Sequence, residues 1–111
     1  MPGLDIATLL ESMGTAAAGV LQSKWPAVRS FATTEFQKIA QTITSIGAQV
    51  ASGEITTDEA AILLDMQQNA SRAVIASLEG MTLIAAEQAV NAALAAIKGV
   101  VNSALGFALI A

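Results

Sequence analysis

The sequence predicts an all-α fold, in the form of a long, kinked antiparallel helical hairpin whose turn lies at residues 53–56. Three segments repeat apolar residues at spacings of three and four, which is the periodicity of a packed helix. Only two prolines interrupt the 111 residues, and the apolar/polar alternation of β-strands is almost absent. We therefore expect helix over at least about 80% of the chain, in a single helical domain that spans residues 1–111.

The first arm of the hairpin is predicted at residues 3–52, with a break near residues 23–26. Apolar positions follow one helical stripe before the break and a second stripe, out of phase, after it. Pro26 lies between the two stripes, and proline is tolerated in a first helical turn but not in a helix interior. The break is therefore either a kink or the start of a new helix. In the second case, residues 3–22 fold back at Trp25-Pro26 and the chain becomes a three-helix bundle.

The turn after the first arm carries the best-defined local signals. Gly53 tolerates the left-handed φ at which many helices end. Thr56 and Glu59 are spaced as a capping box, in which each side chain accepts a hydrogen bond from the backbone N–H of the other residue. We therefore expect a second arm over residues 57–108, a range that contains no proline. Its apolar stripe begins with Leu63, Met66, Ala70 and Val74.

Four charged residues predict the register between the arms. Folding the chain about residues 53–56 brings Glu11 near Lys98 and Lys24 near Glu87, and antiparallel neighbours are the usual result of a short helix–helix connection. We expect these residues to pair. An alternative role exists for Glu87 and Lys98, the only charges after residue 80. Since lone charges in apolar surroundings are costly unless paired or hydrated, these two would line a pore or specify subunit register.

Residues 81–111 form a distal region that is apolar nearly all round the helix. One copy of the first arm can cover only one side of such a helix, and small residues four apart favour close helix packing there. We therefore expect the distal region to contact copies of the same chain or a lipid bilayer. The expected contact residues are Leu83, Ala89, Val90, Ala93, Leu94, Val101, Phe107 and Ile110.

The composition argues against most kinds of chemistry. The chain has no Cys and no His, which removes the thiolate nucleophile, the usual general base and the commonest metal ligand. A net charge of −4 and a single Trp argue against a nucleic-acid partner. We expect no catalytic, cofactor or metal site and no small-molecule substrate. We also expect no signal peptide, because the first charged residues are Asp5 and Glu11 rather than basic ones.

The hairpin layout suggests a class of function. The chain turns at Ala51-Ser52-Gly53-Glu54 and its only tryptophan is Trp25. In length and layout it resembles the small helical-hairpin proteins of secretion and virion machinery, such as needle-type subunits and WXG-type secreted proteins, although the latter carry Trp-x-Gly at the turn. We expect a non-enzymatic, alanine-rich, homo-oligomeric structural protein that forms a ring, tube or conduit in a phage particle or secretion apparatus. The alternatives are a membrane-active hairpin, holin-like or pore-forming, and an amphipathic coat on lipid or polymer granules.

Overall fold

Four α-helices make up most of the structure, a computed structural model that describes residues 4–111. The helices are α1 (Ile6–Leu21), α2 (Trp25–Ala51), α3 (Thr57–Ala76) and α4 (Leu83–Leu105), with a 3₁₀ turn at Gln22–Lys24. Helix accounts for 82% of the structure, and no strand occurs in the described range. The predicted all-α fold class and the predicted helix content are confirmed.

The helices pack side by side in a closed ring of four, each against two others, rather than as two extended arms. α1 packs on α2 and on α4, and α3 packs on α2 and on α4. The longest dimension is 43 Å, whereas two straight arms of about 50 residues would reach about 75 Å. The predicted continuous arms at 3–52 and 57–108 are therefore corrected. The turn at 53–56 joins only α2 to α3, and each predicted arm folds back on itself.

The hydrophobic core lies inside this ring and receives side chains from all four helices. Its largest fully buried members include Met13 of α1, Phe36 and Ile39 of α2, Ile75 of α3 and Ile97 of α4. Because every helix contributes, each one gains its stability from tertiary packing rather than from local propensity alone.

The first reversal lies at the 3₁₀ turn, where the sequence predicted a break. α1 ends at Leu21, and Gln22 adopts a φ of +51°. Pro26 then lies in the first turn of α2, where its missing N–H leaves no helical hydrogen bond unmade. The Trp25 ring returns against α1, since a Cβ added at Gly14 would lie 3.8 Å from Cζ2 of Trp25. Residues 6–21 thus lie back along α2, as in the folded-back alternative.

The second reversal was not predicted. α3 ends at Ala76, Gly80 has a φ of +81°, and Thr82 caps α4 by accepting a hydrogen bond from the N–H of Ala85 at 3.1 Å. A glycine followed by a threonine N-cap stops one helix and starts the next. The absence of proline from residues 57–108 was therefore a poor guide to helix continuity.

The predicted capping box at the start of α3 is confirmed. The Thr56 hydroxyl accepts from the backbone N–H of Glu59 at 3.1 Å, and the Glu59 carboxylate accepts from the N–H of Thr56 at 2.9 Å. Gly53 has the expected left-handed conformation, with a φ of +80°. The start of α3 is thus fixed by local hydrogen bonds.

The chain after α4 is held back against the bundle by a single side chain. Gly106, with a φ of +81°, ends α4. The Asn102 amide then donates to the carbonyl of Ile110 at 2.9 Å and accepts from the N–H of Ile110 at 3.0 Å. This pair of bonds places Leu109 and Ile110 in the core, where each is 5% exposed.

The backbone at Gln22 predicts a stabilising substitution. A positive φ is unfavourable for a residue with a Cβ and easy for glycine. We expect Gln22→Gly to raise the free energy of unfolding by about 1 kcal/mol, measured by urea unfolding followed by circular dichroism. The matched control is Ser23→Gly, one residue into the 3₁₀ turn, where glycine should be neutral or destabilising. A Gln22→Gly variant no more stable than the parent would contradict the conformation described for this turn.

Candidate functional site

The structure places most of the predicted distal contact residues in the interior of the folded chain. Of the eight, six are at most 5% exposed: Ala89, Val90, Ala93, Leu94, Val101 and Ile110. Phe107 is partly buried, and only Leu83, at 59%, is largely exposed. These six are therefore corrected to core residues. The physical reason is that both α1 and α3 pack on α4, so one chain covers two sides of the helix where one had been expected.

The predicted charge register is also corrected. Within residues 4–111 the only ion pair joins Lys38 to Glu35, with 2.9 Å between Nζ and Oε2. Consequently Glu11 does not pair with Lys98, and Lys24 does not pair with Glu87. α1 does lie along α4, and Glu11 lines a surface groove together with Ala96, but these charges are not within ion-pair distance of one another.

The clearest surface feature is an apolar face on α3 that points away from the bundle. We call this the outer face of α3, and it consists of Ile62, Leu63, Met66, Ala70, Ala73 and Val74. Its largest side chains are mostly in solvent, since Ile62 is 59% exposed and Met66 is 63% exposed. The stripe that the sequence assigned to α3 therefore faces outward, and another stripe faces the core. The inward residues are Ala60, Leu64, Ser71 and Ile75.

A shallow groove runs beside the outer face, between α3 and α2. Leu63, Met66 and Ala70 form one wall, and Thr42, Ser45 and Gln49 of α2 form the other. Below it, the amide oxygen of Gln67 accepts a hydrogen bond from the Thr42 hydroxyl of α2 at 3.4 Å, and its amide nitrogen donates to Ser71 of its own helix at 3.1 Å. The Thr42–Gln67 bond joins α2 to α3 at this level.

The charges of the α2–α3 layer are separated along its length. Glu54, Asp58 and Glu59 lie exposed at the turn end, and no Lys or Arg occurs between residues 39 and 71. Lys38 lies towards the opposite end of the layer, with its side chain 52% exposed. Three more of the five basic residues also belong to that end: Lys24, Arg29 and Arg72. Beside the outer face, the end away from the turn therefore presents one basic side chain, Lys38, which is paired with Glu35 of its own helix, and we call this the basic end.

No group of three or more potential metal ligands (His, Cys, Asp or Glu) is present in residues 4–111. No three acidic side chains gather there around a point that a metal ion could occupy. Glu59 is used by the cap of α3. The Thr44 hydroxyl donates to the carbonyl of Ala40, one turn earlier in its own helix, at 3.0 Å. The polar side chains at these positions thus serve the fold.

The sequence contained a signal for the outer face, but the signal appears only when neighbouring apolar residues are considered together. Ile62, Leu63 and Leu64 are consecutive, so two apolar stripes of similar strength run along α3. A helix that is apolar on two sides has two contacts to make. The fold supplies a partner for only one of them.

No protein-family model matches this chain, and neither does any curated protein or solved structure compared with it. Its function is therefore inferred from its own surface and chemistry.

The burial of most of the predicted distal contact residues leads to a prediction about the stability of the folded chain. We expect Ala93→Glu to destabilise the folded chain by about 3 kcal/mol or more, because it places a carboxylate in the core. Ala95→Glu, at an exposed position of the same helix, should change the stability by less than about 0.5 kcal/mol. Thermal unfolding followed by circular dichroism compares the two variants. Equal stability of the two would contradict the placement of α4 in the core.

Proposed function

We propose that this protein is a non-enzymatic, homo-oligomeric helical structural protein, and that its copies associate through the outer face of α3. The observation that carries the proposal is the exposure of Ile62 and Met66 at the centre of a continuous apolar face. Contiguous apolar surface with polar residues around it is typical of interaction sites on folded proteins.

The energetics favour covering this face. Complete burial of a Met, Ile or Leu side chain is worth about 1.5–3 kcal/mol. Three such side chains on the outer face, Ile62, Leu63 and Met66, are 38–63% exposed, so an interface would recover a substantial part of that free energy. Because domains are stable by only about 5–15 kcal/mol in total, a gain of this size is large enough to drive association.

The composition supports a structural role rather than a catalytic one. The chain carries neither His nor Cys, and only 13% of its residues are charged. A small all-α unit with an apolar face can be repeated in a ring, tube or conduit, and a phage particle or secretion apparatus is the setting we propose. Copies of the same chain are then its principal partners.

A second candidate function rests on α4. This helix, Leu83–Leu105, is long and apolar enough to cross a membrane, with a mean hydropathy of 1.3 over its most apolar window, of which 39% is buried inside the fold. Leu83 and Ile84 at its start are 59% and 68% exposed. A membrane-active role, holin-like or pore-forming, or a coat on lipid or polymer granules, would use this helix instead of α3.

The two candidate functions predict different masses in detergent-free buffer and different behaviour with lipid membranes. We expect light scattering in detergent-free buffer to give a small multiple of 11.3 kDa. Met66→Glu should lower the mass towards that of one chain, because it places a charge in the apolar interface. The matched control is Gln37→Glu, an exposed position of α2, which should leave the mass unchanged.

A protein that is monomeric at about 100 µM, well above the Kd of a specific interface, would contradict self-association. Sedimentation with liposomes, or release of a dye trapped inside them, would support the membrane-active alternative instead.

A further inference from the structure

We infer that a second copy of this chain docks on the outer face of α3 in antiparallel orientation, with a two-fold axis at Met66. The inference rests on the proposed self-association and specifies its geometry. A two-fold contact closes at two copies, so a ring or tube would join such pairs through another surface. The element that covers the outer face is the α3 helix of the second copy. Its support comes from the order of side-chain sizes along α3, from the separation of charge, and from the absence of any charge in the middle of the face.

The order of side-chain sizes favours the antiparallel arrangement. The first half of the outer face carries the large residues Ile62, Leu63 and Met66, whereas the second half carries the small residues Ala70 and Ala73 and ends at Val74. Antiparallel packing about Met66 sets Ile62 of one copy against Ala70 of the other. Parallel packing would set Ile62 against Ile62 and Ala70 against Ala70, which leaves an uneven gap. Since interfaces pack as densely as protein interiors, the complementary arrangement is favoured.

The separation of charge favours the same orientation. In an antiparallel pair, the acidic turn end of each copy, with Glu54 and Glu59, lies over the basic end of the other, where Lys38 is 52% exposed. The Lys38 ammonium donates to Glu35 of its own chain and has three N–H donors in all, so it can also donate across the interface. In a parallel pair the acidic ends would meet, and juxtaposed like charges oppose association.

The middle of the face is free of charges that would have to be desolvated. The charged residues of α3 nearest its centre are Asp65 and Arg72, and both lie on the side that faces α4. Asp65 lines the groove between α3 and α4, and Arg72 donates to Asn91 of α4 at 2.7 Å. A two-fold contact centred on Met66 therefore buries apolar side chains and keeps charges at its rim, which is the usual anatomy of a protein interface.

The proposed register gives defined residue pairs. Met66 meets Met66 of the second copy at the axis, Ile62 meets Ala70, and Glu59 lies level with Ala73, close to Lys38. Residues 62 and 70 are separated by about 12 Å along the helix. A disulfide requires Cα atoms within about 7 Å, so cross-linking can distinguish this register from others.

The first experiment uses single cysteines, which are unambiguous because the chain has none of its own. Under mild oxidation, Met66→Cys should form a covalent dimer with itself. Ile62→Cys and Ala70→Cys should each remain largely monomeric alone and form a dimer when mixed. Leu83→Cys on α4, where the native side chain is as exposed as that of Ile62, is the matched control and should not cross-link.

The outcomes separate this inference from the proposed function. Self-linkage of Ile62→Cys and of Ala70→Cys would establish a parallel pair and overturn the inference. A native oligomer in which none of the three α3 cysteines links would overturn the inference while leaving self-association intact. If the native chain has the mass of a monomer and none of the cysteine variants forms a cross-linked dimer, both the inference and the proposed self-association are overturned.

A second experiment tests the charges at the rim. Glu59→Gln removes one charge but keeps the capping box, because glutamine can replace glutamate at that position. We expect it to weaken the dimer about twofold to fivefold at low salt, as for an exposed ion pair, with a smaller effect at high salt. Asp65→Asn on the α4 side is the control and should not change the affinity. An equal effect of both substitutions would overturn the proposed position of Glu59 in the contact.

Discussion

The need to bury α4 on more than one side is the constraint on which the rest of the fold depends. Val90, Ala93 and Ile97 are at most 1% exposed, and they belong to a helix whose apolar residues are spread around its circumference. A single neighbour cannot enclose such a helix. Both α1 and α3 pack on it, and each of them reaches it only because the chain reverses, once before α2 and once before α4. The fold meets this requirement for Ala89, Val90, Ala93, Leu94, Val101 and Ile110, whereas Leu83 and Ile84 at the start of α4 stay exposed.

Local features of the fold could be predicted and long-range ones could not. The Thr56–Glu59 capping box and the helix stop at Gly53 depend on neighbouring residues alone, and both are present as expected. The reversal at Gly80 had a similar local signal in Thr82, but its meaning depended on whether α3 and α4 had a surface to share. The orientation of α3 was harder still to predict. Leu63 and Leu64 are adjacent and identical, so only the packing partner decides which of them faces inward.

The inward side of α3 explains why large side chains remain outside. Ala60 and Ser71, both fully buried, are small, and small residues allow two helices to approach closely. Ser71 also accepts the hydrogen bond from Gln67 that continues to Thr42 on α2, so a larger apolar residue there would lose a satisfied polar contact in the interior. The closeness and register of the α2–α3 pair thus come from small and polar residues. Of the bulky residues of α3, Leu64 and Ile75 enter the core, whereas Ile62, Leu63 and Met66 are left on a surface that the chain itself does not cover.

The pairing of α1 with α4 has a consequence for how the chain acquires its structure. Short turns join α1 to α2 and α2 to α3, whereas the contact between α1 and α4 brings together helices from the two ends of the chain. Closing a long loop adds a modest entropic cost, and folding slows as contacts become more distant in sequence. Until that closure occurs, the apolar sides of α4 stay in water. We therefore expect the interval before α1 and α4 meet to be the one in which the chain is most exposed to aggregation.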